Sequence, residues 1–157
     1  MVIKTKKILI KKVTDILHDI GMPAHIKGFY YVRDAIILVY QDITRLNHII
    51  NDVYALVAKR HHTSIQSVER TIRVAIEITW LRGDMDEIMC IFHNTVDGRK
   101  ARPTNKEFIA LIVDYLNIEH MYNNEAKTNS SISKWCTAFF RNCFRHYTLE
   151  WKRLFCT

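Results

Sequence analysis

The stretch LNHIINDVYALVAKRHHTSIQSVERTIRVAIEITWLR, residues 46–82, carries two apolar patterns of helical period separated by a short polar interval. In the first half Leu46, Ile49, Ile50, Val53 and Val57 recur at helical spacing and predict a packing helix with Asn47, Asn51, Asp52 and Lys59 outside. In the second half Val68, Ile72, Ala75, Ile76 and Thr79 form an inward stripe. Gln66, Glu69, Arg70, Arg73 and Glu77 then project together on the opposite side, because residues three and four apart share a helix face. Between the halves, Arg60-His61-His62-Thr63-Ser64 is long enough only for a tight turn. Thr63 followed by Gln66 fits a capping box, which predicts a helix over Thr63–Arg82. Ala58, His62 and Val68 fit the spacing of a helix-turn-helix: a small residue for close approach, a turn residue at an unusual backbone angle, and a branched residue that locks the second helix. Glycine takes a left-handed turn most easily, but histidine is among the residues enriched there.

A long polar face bearing those side chains suits the major groove of duplex DNA. Arginine donates two bonds to guanine O6 and N7, glutamate accepts from cytosine N4, and glutamine pairs with adenine. The alternative is a solvated face laced by Glu69–Arg73 and Arg73–Glu77 pairs, each worth only about 0.2–0.5 kcal/mol.

Around this hairpin the chain reads as all-α. Ile10, Val13, Ile16, Leu17 and Ile20 predict a helix over about Lys6 to Ile20, ended by Gly21 in a left-handed conformation. Lys4, Lys6, Lys7, Lys11 and Lys12 crowd its early part as a basic face. Pro23 prevents continuation, and Val32, Ala35, Ile36, Val39 and Ile43 predict a second helix from Phe29 to about Asp42. After Gly83, Asp84 and Glu87 cap a short helix through Phe92. Thr104 and Glu107 cap a helix from Asn105 to about Ile118, with Phe108, Ile109, Ile112, Tyr115 and Leu116 inward. Arg99, Lys100 and Arg102 lie in the loop between, as candidate backbone contacts.

Ile20-Gly21-Met22-Pro23-Ala24-His25-Ile26-Lys27-Gly28-Phe29, Val68-Glu69-Arg70-Thr71-Ile72-Arg73 and Arg102-Pro103-Thr104-Asn105-Lys106-Glu107-Phe108-Ile109-Ala110 closely resemble the DNA-binding effector domain of the master sporulation response regulator, the stage zero sporulation protein A family. The resemblance runs without gaps from about Ile16 to His120. It implies a compact all-helical domain whose Thr63–Arg82 helix enters the major groove of a short GTCG-containing box. In the family pattern an arginine, a glutamate and a second arginine read the bases. The last two fall on Glu69 and Arg70, and the first falls on Ser67, a residue too short for a bidentate guanine contact. Losing one such pair removes about 1–3 kcal/mol of discrimination. A family histidine is likewise replaced by Val74, which cannot bond a phosphate. The resemblance also implies a contact of the Trp80–His93 region with the sigma subunit of RNA polymerase, through Asp84, Asp86 and Glu87, and a homodimer on adjacent boxes.

Composition is consistent with these readings. The 157 residues are 48% hydrophobic and carry a formal charge of +7, enough for one substantial core and a preference for anionic partners. No apolar run reaches the roughly 18–20 residues that cross a bilayer, and the basic start lacks a signal peptide's apolar core, so the chain reads as cytoplasmic with its four cysteines reduced. Cys90 with His93, and Cys143 with His146, are spaced to share helix faces but lack the paired signature of a metal site, so no metal or cofactor is expected. Without a glycine-rich phosphate loop, nucleophile elbow or carboxylate dyad, neither enzymatic activity nor a small-molecule substrate is expected. The acidic phosphoacceptor module of the full-length regulator has no counterpart in these residues, which therefore read as a stand-alone effector.

The expected organisation is a DNA-binding domain over 1–120, a polar linker over 121–131, and a basic aromatic amphipathic helix over 132–157 that includes Trp135, Phe139, Cys143, Tyr147, Trp151 and Leu154. The expected function is sequence-specific regulation of transcription, with Glu69, Arg70 and Ser67 at the bases and Lys59, Arg60, Gln66 and Arg73 at the DNA backbone. The competing expectation is a protein-interaction module that pairs with the full-length regulator or with RNA polymerase and has weakened base readout. Ser67 and the aromatic segment favour that reading, whereas Glu69 and Arg70 oppose it.

Overall fold

The structure, a computed structural model, describes residues 2–92 and 102–128. The chain divides into two units, residues 1–115 and 116–157. In the first, the helices are α1 (Val2–Asp19), α2 (Lys27–Gln41), α3 (Ala55–Arg60), α4 (Ile65–Arg82), α5 (Met85–Phe92) and the start of α6 (Asn105–Thr128). No strand occurs among the described residues, as the sequence predicts. In the second unit the described residues, 116–128, form the remainder of α6.

The helix α1 ends as its sequence dictates. Gly21 has φ +78°, its N–H donates to the His18 carbonyl at 2.8 Å, and the Met22 N–H reaches the Leu17 carbonyl at 2.9 Å. This double closure satisfies carbonyls that a helix end leaves bare and turns the chain sharply toward α2. Val13, Ile16, Leu17 and Ile20 are buried, and the His18 ring stacks on Phe29 at 5.2 Å.

The helix α2 packs against both α1 and α4. Val32, Ala35, Ile36 and Val39 are fully buried, so a run of branched residues that could pass for a strand is helical because its period is helical. Ile43, expected inward on the same helix, is instead exposed. The helix stops at Gln41, where the Asp42 carboxylate accepts from the Thr44 N–H at 3.1 Å and its hydroxyl at 2.6 Å and starts a 3₁₀ turn over Ile43–Leu46. Those hydrogen bonds, led by the Thr44 hydroxyl, hold the Asp42 carboxyl below the usual carboxylate range.

The first half of the 46–82 hairpin is the main correction to the expected fold. It is not one helix but the 3₁₀ turn, a π-helical turn over Ile49–Tyr54, and the short α3. The wider π turn places adjacent Val53 and Tyr54 both inside and leaves Ile50 exposed. Asn47, Asn51 and Asp52, poor helix formers, sit where the regular helix was expected.

The α6 helix begins at the expected capping box, in which the Thr104 N–H donates to Glu107 Oε2 at 2.8 Å and the Glu107 N–H to the Thr104 hydroxyl at 3.2 Å. It continues to Thr128, past the expected end near Ile118 and through much of the stretch expected as a linker. Extending an existing helix avoids the cost of nucleation, so a polar sequence without periodicity follows on. The rest of that stretch and the expected aromatic helix over 132–157 lie outside the described residues. No helix among the described residues is long and apolar enough to cross a membrane.

Candidate nucleic-acid interface

The turn between α3 and α4 has the backbone that Ala58, His62 and Val68 predict. His62 has φ +50° and is the sole non-glycine residue at positive φ among the described residues. The Thr63 N–H reaches back to the Ala58 carbonyl at 3.0 Å, and Ala58 and Val68 are buried on either side. Thr63 is therefore spent closing α3, and the cap of α4 falls one residue later than expected. Ser64 is extended, with φ −86° and ψ 155°, and its hydroxyl accepts from the Ser67 N–H at 3.1 Å. The helix expected over Thr63–Arg82 accordingly spans Ile65–Arg82.

A left-handed conformation costs an L-residue about 1–2 kcal/mol, whereas ordering a glycine costs about 0.5–1 kcal/mol more than ordering alanine. His62→Gly is thus expected to raise stability by about 0.5–1 kcal/mol, seen as a higher urea midpoint at unchanged slope. A lower midpoint would mean that the imidazole makes a stabilising contact stronger than the relief of the turn.

The inward stripe of α4 is as predicted: Val68, Ile72, Ala75, Ile76 and Thr79 are all buried, and the Thr79 hydroxyl donates to the Ala75 carbonyl at 2.8 Å. Gln66, Arg70 and Arg73 are exposed, with Ser67, Glu69 and Glu77 partly so. Arg73 donates to Glu69 Oε1 along the helix face. Arg70 lies on that face without an ion pair among the described residues.

Two braces hold α4 from the α6 side. The Asn105 side-chain N–H donates to the backbone carbonyl of Glu69 at 3.1 Å, and Asn105 lies near the Tyr54 phenol. Burial pushes that phenol above its ordinary range against the opposing effect of Asn105, so Tyr54 stays neutral. Arg102, a candidate phosphate contact in the sequence, places a guanidinium N–H 3.5 Å from the Arg73 carbonyl and 3.6 Å from the Glu77 carboxylate. Arg99 and Lys100 of the same loop lie outside the described residues.

A further tie comes from α2. Asp34 is buried among branched residues, and its Oδ2 accepts from His61 Nε2 at 2.8 Å and pairs with Arg60 Nη1 at 3.1 Å. The His61 ring also lies against Tyr31, with centroids 4.7 Å apart. Arg60, expected to face DNA phosphate, is therefore held on an internal carboxylate, while Lys59 beside it is exposed. Sequence reasoning missed Asp34 and Asn105. The one available signal for Asp34 was a carboxylate directly before the apolar run Ala35–Val39, whereas nothing set Asn105 apart from other polar residues near a cap.

At the far end of α4 the Trp80 ring meets Phe92 edge-on at 5.7 Å, and Phe92 contacts Phe108 at 5.4 Å. The α5 helix is capped by Asp84, whose Oδ1 accepts from the Asp86 N–H at 3.0 Å and the Glu87 N–H at 3.3 Å. Burial, followed by the negative charges of Asp84, Asp19 and Asp86, pushes the Glu87 carboxyl above its ordinary range. Among the described residues no group of three or more His, Cys, Asp or Glu side chains is placed to hold a metal ion, and His93, Cys143 and His146 lie outside those residues.

A short helix, a left-handed turn and a capped helix with a charged outer face form a helix-turn-helix, and a known family carries the same arrangement. The family model for the sporulation initiation factor Spo0A C terminal matches residues 13–116, and the chain belongs to that family of helical, DNA-binding transcription-regulatory domains.

Proposed function

We propose that this domain binds duplex DNA in a sequence-specific manner with α4 in the major groove, Glu69 and Arg70 reading bases and Ser67 occupying the third reading position. The observation that carries this reading is the outer face of α4. Arg70 projects from it as an uncommitted guanidinium, with Glu69 alongside, and the helix beneath packs on the Ile49–Tyr54 turn and is tied to Asn105 through its backbone rather than through the groove-facing side chains. Arg73 takes Glu69 Oε1, so acceptance from cytosine N4 falls to Oε2. Lys59, Gln66 and Arg73 serve the phosphate backbone, in keeping with a first helix that crosses the backbone and a second that lies in the groove. Arg60 joins them only on leaving Asp34.

For partners, the reading is a homodimer on adjacent sites and a contact of Asp86 and Glu87 with the sigma subunit of RNA polymerase, with Asp84 retained as the cap that orients both. Burial first, and then the neighbouring carboxylates, raise the Glu87 carboxyl; a cation from the polymerase would offset the second of these.

Selection from a random duplex pool tests the function directly. The expected product is a motif akin to GTCG with one degenerate step, opposite Ser67, because a hydroxyl there accepts either base class. A pool that returns no motif, from protein that still pulls down the full-length regulator or polymerase, would replace this reading with that of an interaction module.

A further inference from the structure

The carboxylate of Asp34 is the buried charged group that base reading does not use. It sits on α2, yet both its partners, Arg60 and His61, belong to the junction between α3 and the turn. They meet on a single oxygen, Oδ2, of a side chain that is 10% exposed, and differ in their own exposure: the His61 side chain is 26% exposed and the Arg60 side chain 48%. One partner is therefore fixed and the other can be drawn away.

A helix-turn-helix lays its first helix across the DNA backbone, so the final residue of α3 comes to the duplex near phosphate. There the guanidinium of Arg60 has two rival acceptors: the Asp34 carboxylate, which takes Nη1 on Oδ2 alone, and a phosphate group, whose two free oxygens suit the fork of arginine. A phosphate contact carries no sequence information and adds equally to every duplex. Whatever keeps Arg60 off the backbone thus lowers binding to all sequences and leaves discrimination to α4.

On these grounds we infer that Asp34 is a specificity-determining residue: it competes intramolecularly with DNA phosphate for Arg60 and so limits sequence-independent affinity. His61 supports this role by occupying the same carboxylate through its ring N–H, with Tyr31 against its face, which holds Asp34 in place as Arg60 exchanges. This inference rests on the placement of α3 and α4 on DNA, and not on which bases α4 reads.

The test is the salt dependence of binding by the full chain to a duplex that lacks the selected motif. Each phosphate contact adds about 0.9 to the slope of log affinity against log salt. Asp34→Asn keeps an acceptor for His61 but removes the charge that holds Arg60. It is expected to steepen that slope by about 0.9 and, at 0.1 M salt, to raise non-specific affinity by up to about eight-fold, the equivalent of one further counterion released. Asp34→Asn combined with Arg60→Gln is expected to return the slope to the wild-type value. A residue with only a structural role would move affinity the opposite way, because a loosened turn weakens binding, so a flatter or unchanged slope in folded Asp34→Asn protein overturns the inference.

Should Asp34→Asn fail to fold, the wild-type chain supplies a second measurement. The Arg60 Nε–H resonance is expected to stay in place when the random duplex is added, and a shift would show Arg60 already on phosphate and overturn the proposal. Absence of any duplex binding by the wild type would instead refute the DNA placement itself, a result distinct from an unaltered slope.

Discussion

Arg70→Ala is expected to lower affinity for the selected duplex by about 1–3 kcal/mol, roughly 5- to 150-fold, while binding to unrelated duplexes changes little. The size follows from the chemistry of one side chain. A guanidinium that faces guanine O6 and N7 makes two parallel hydrogen bonds, and truncation leaves both acceptors without a partner in a partly dehydrated groove. Arg70 can supply them at little cost because it is exposed and tied to no carboxylate among the described residues. Arg73 is different, being paired with Glu69, so its release must first break that pair. Titration of labelled duplexes, one selected and one scrambled, gives both affinities. An equal loss on the two duplexes would make Arg70 a backbone contact and move base reading elsewhere on α4.

Gly28→Ala is expected to lower stability by about 1–3 kcal/mol and the thermal midpoint by roughly 4 °C per kcal/mol, with loss of DNA affinity in step. Gly28 is where α2 meets α4. A Cβ at that position would stand 2.5 Å from the Ala75 Cβ and 2.8 Å from the Thr71 carbonyl oxygen. Neither atom lies at the end of a flexible chain, so relief requires the two helices to part, and α4 is the helix that presents Glu69 and Arg70. Core packing at native density gives no slack for that displacement. The compensating variant is Ala75→Gly, which removes the nearer of the two obstacles. Together the two substitutions should recover part of the midpoint by a margin that the separate changes do not sum to. A midpoint for Gly28→Ala equal to wild type would show that α2 and α4 are not packed as described.

The legible parts of this fold were those where one residue type has one physical use. Gly21 ends α1 because an achiral residue takes positive φ freely, and the stripe Val68–Thr79 is buried because its period admits one inward face. His62 was legible for a subtler reason, since its spacing from Ala58 and Val68 required a left-handed residue at that place whatever its identity. The stretch from Ile43 to Tyr54 was not. There the apolar residues suit a regular helix, but Asp42 seizes Thr44 and the backbone winds through 3₁₀ and π turns, which moves Ile43 and Ile50 to the surface. The cap of α4 was misplaced by one residue because Thr63 and Ser64 are both competent caps, and which one serves depends on how α3 closes.

What the sequence determined by itself is therefore the helical class, the two-part hairpin, and the outer face of α4 with Gln66, Ser67, Glu69, Arg70 and Arg73, since these follow from residue spacing along one chain. What only the tertiary structure decided is which of the neighbouring cations are at liberty. Asp34 lies 26 residues before Arg60 and draws it inward, Glu77 and the Arg73 carbonyl engage Arg102, and Asn105 fixes Glu69 from behind. Periodicity cannot register such ties, because a charge is silenced by the partner that folding brings to it, and that partner is set by the packing of separate helices rather than by the local run of residues.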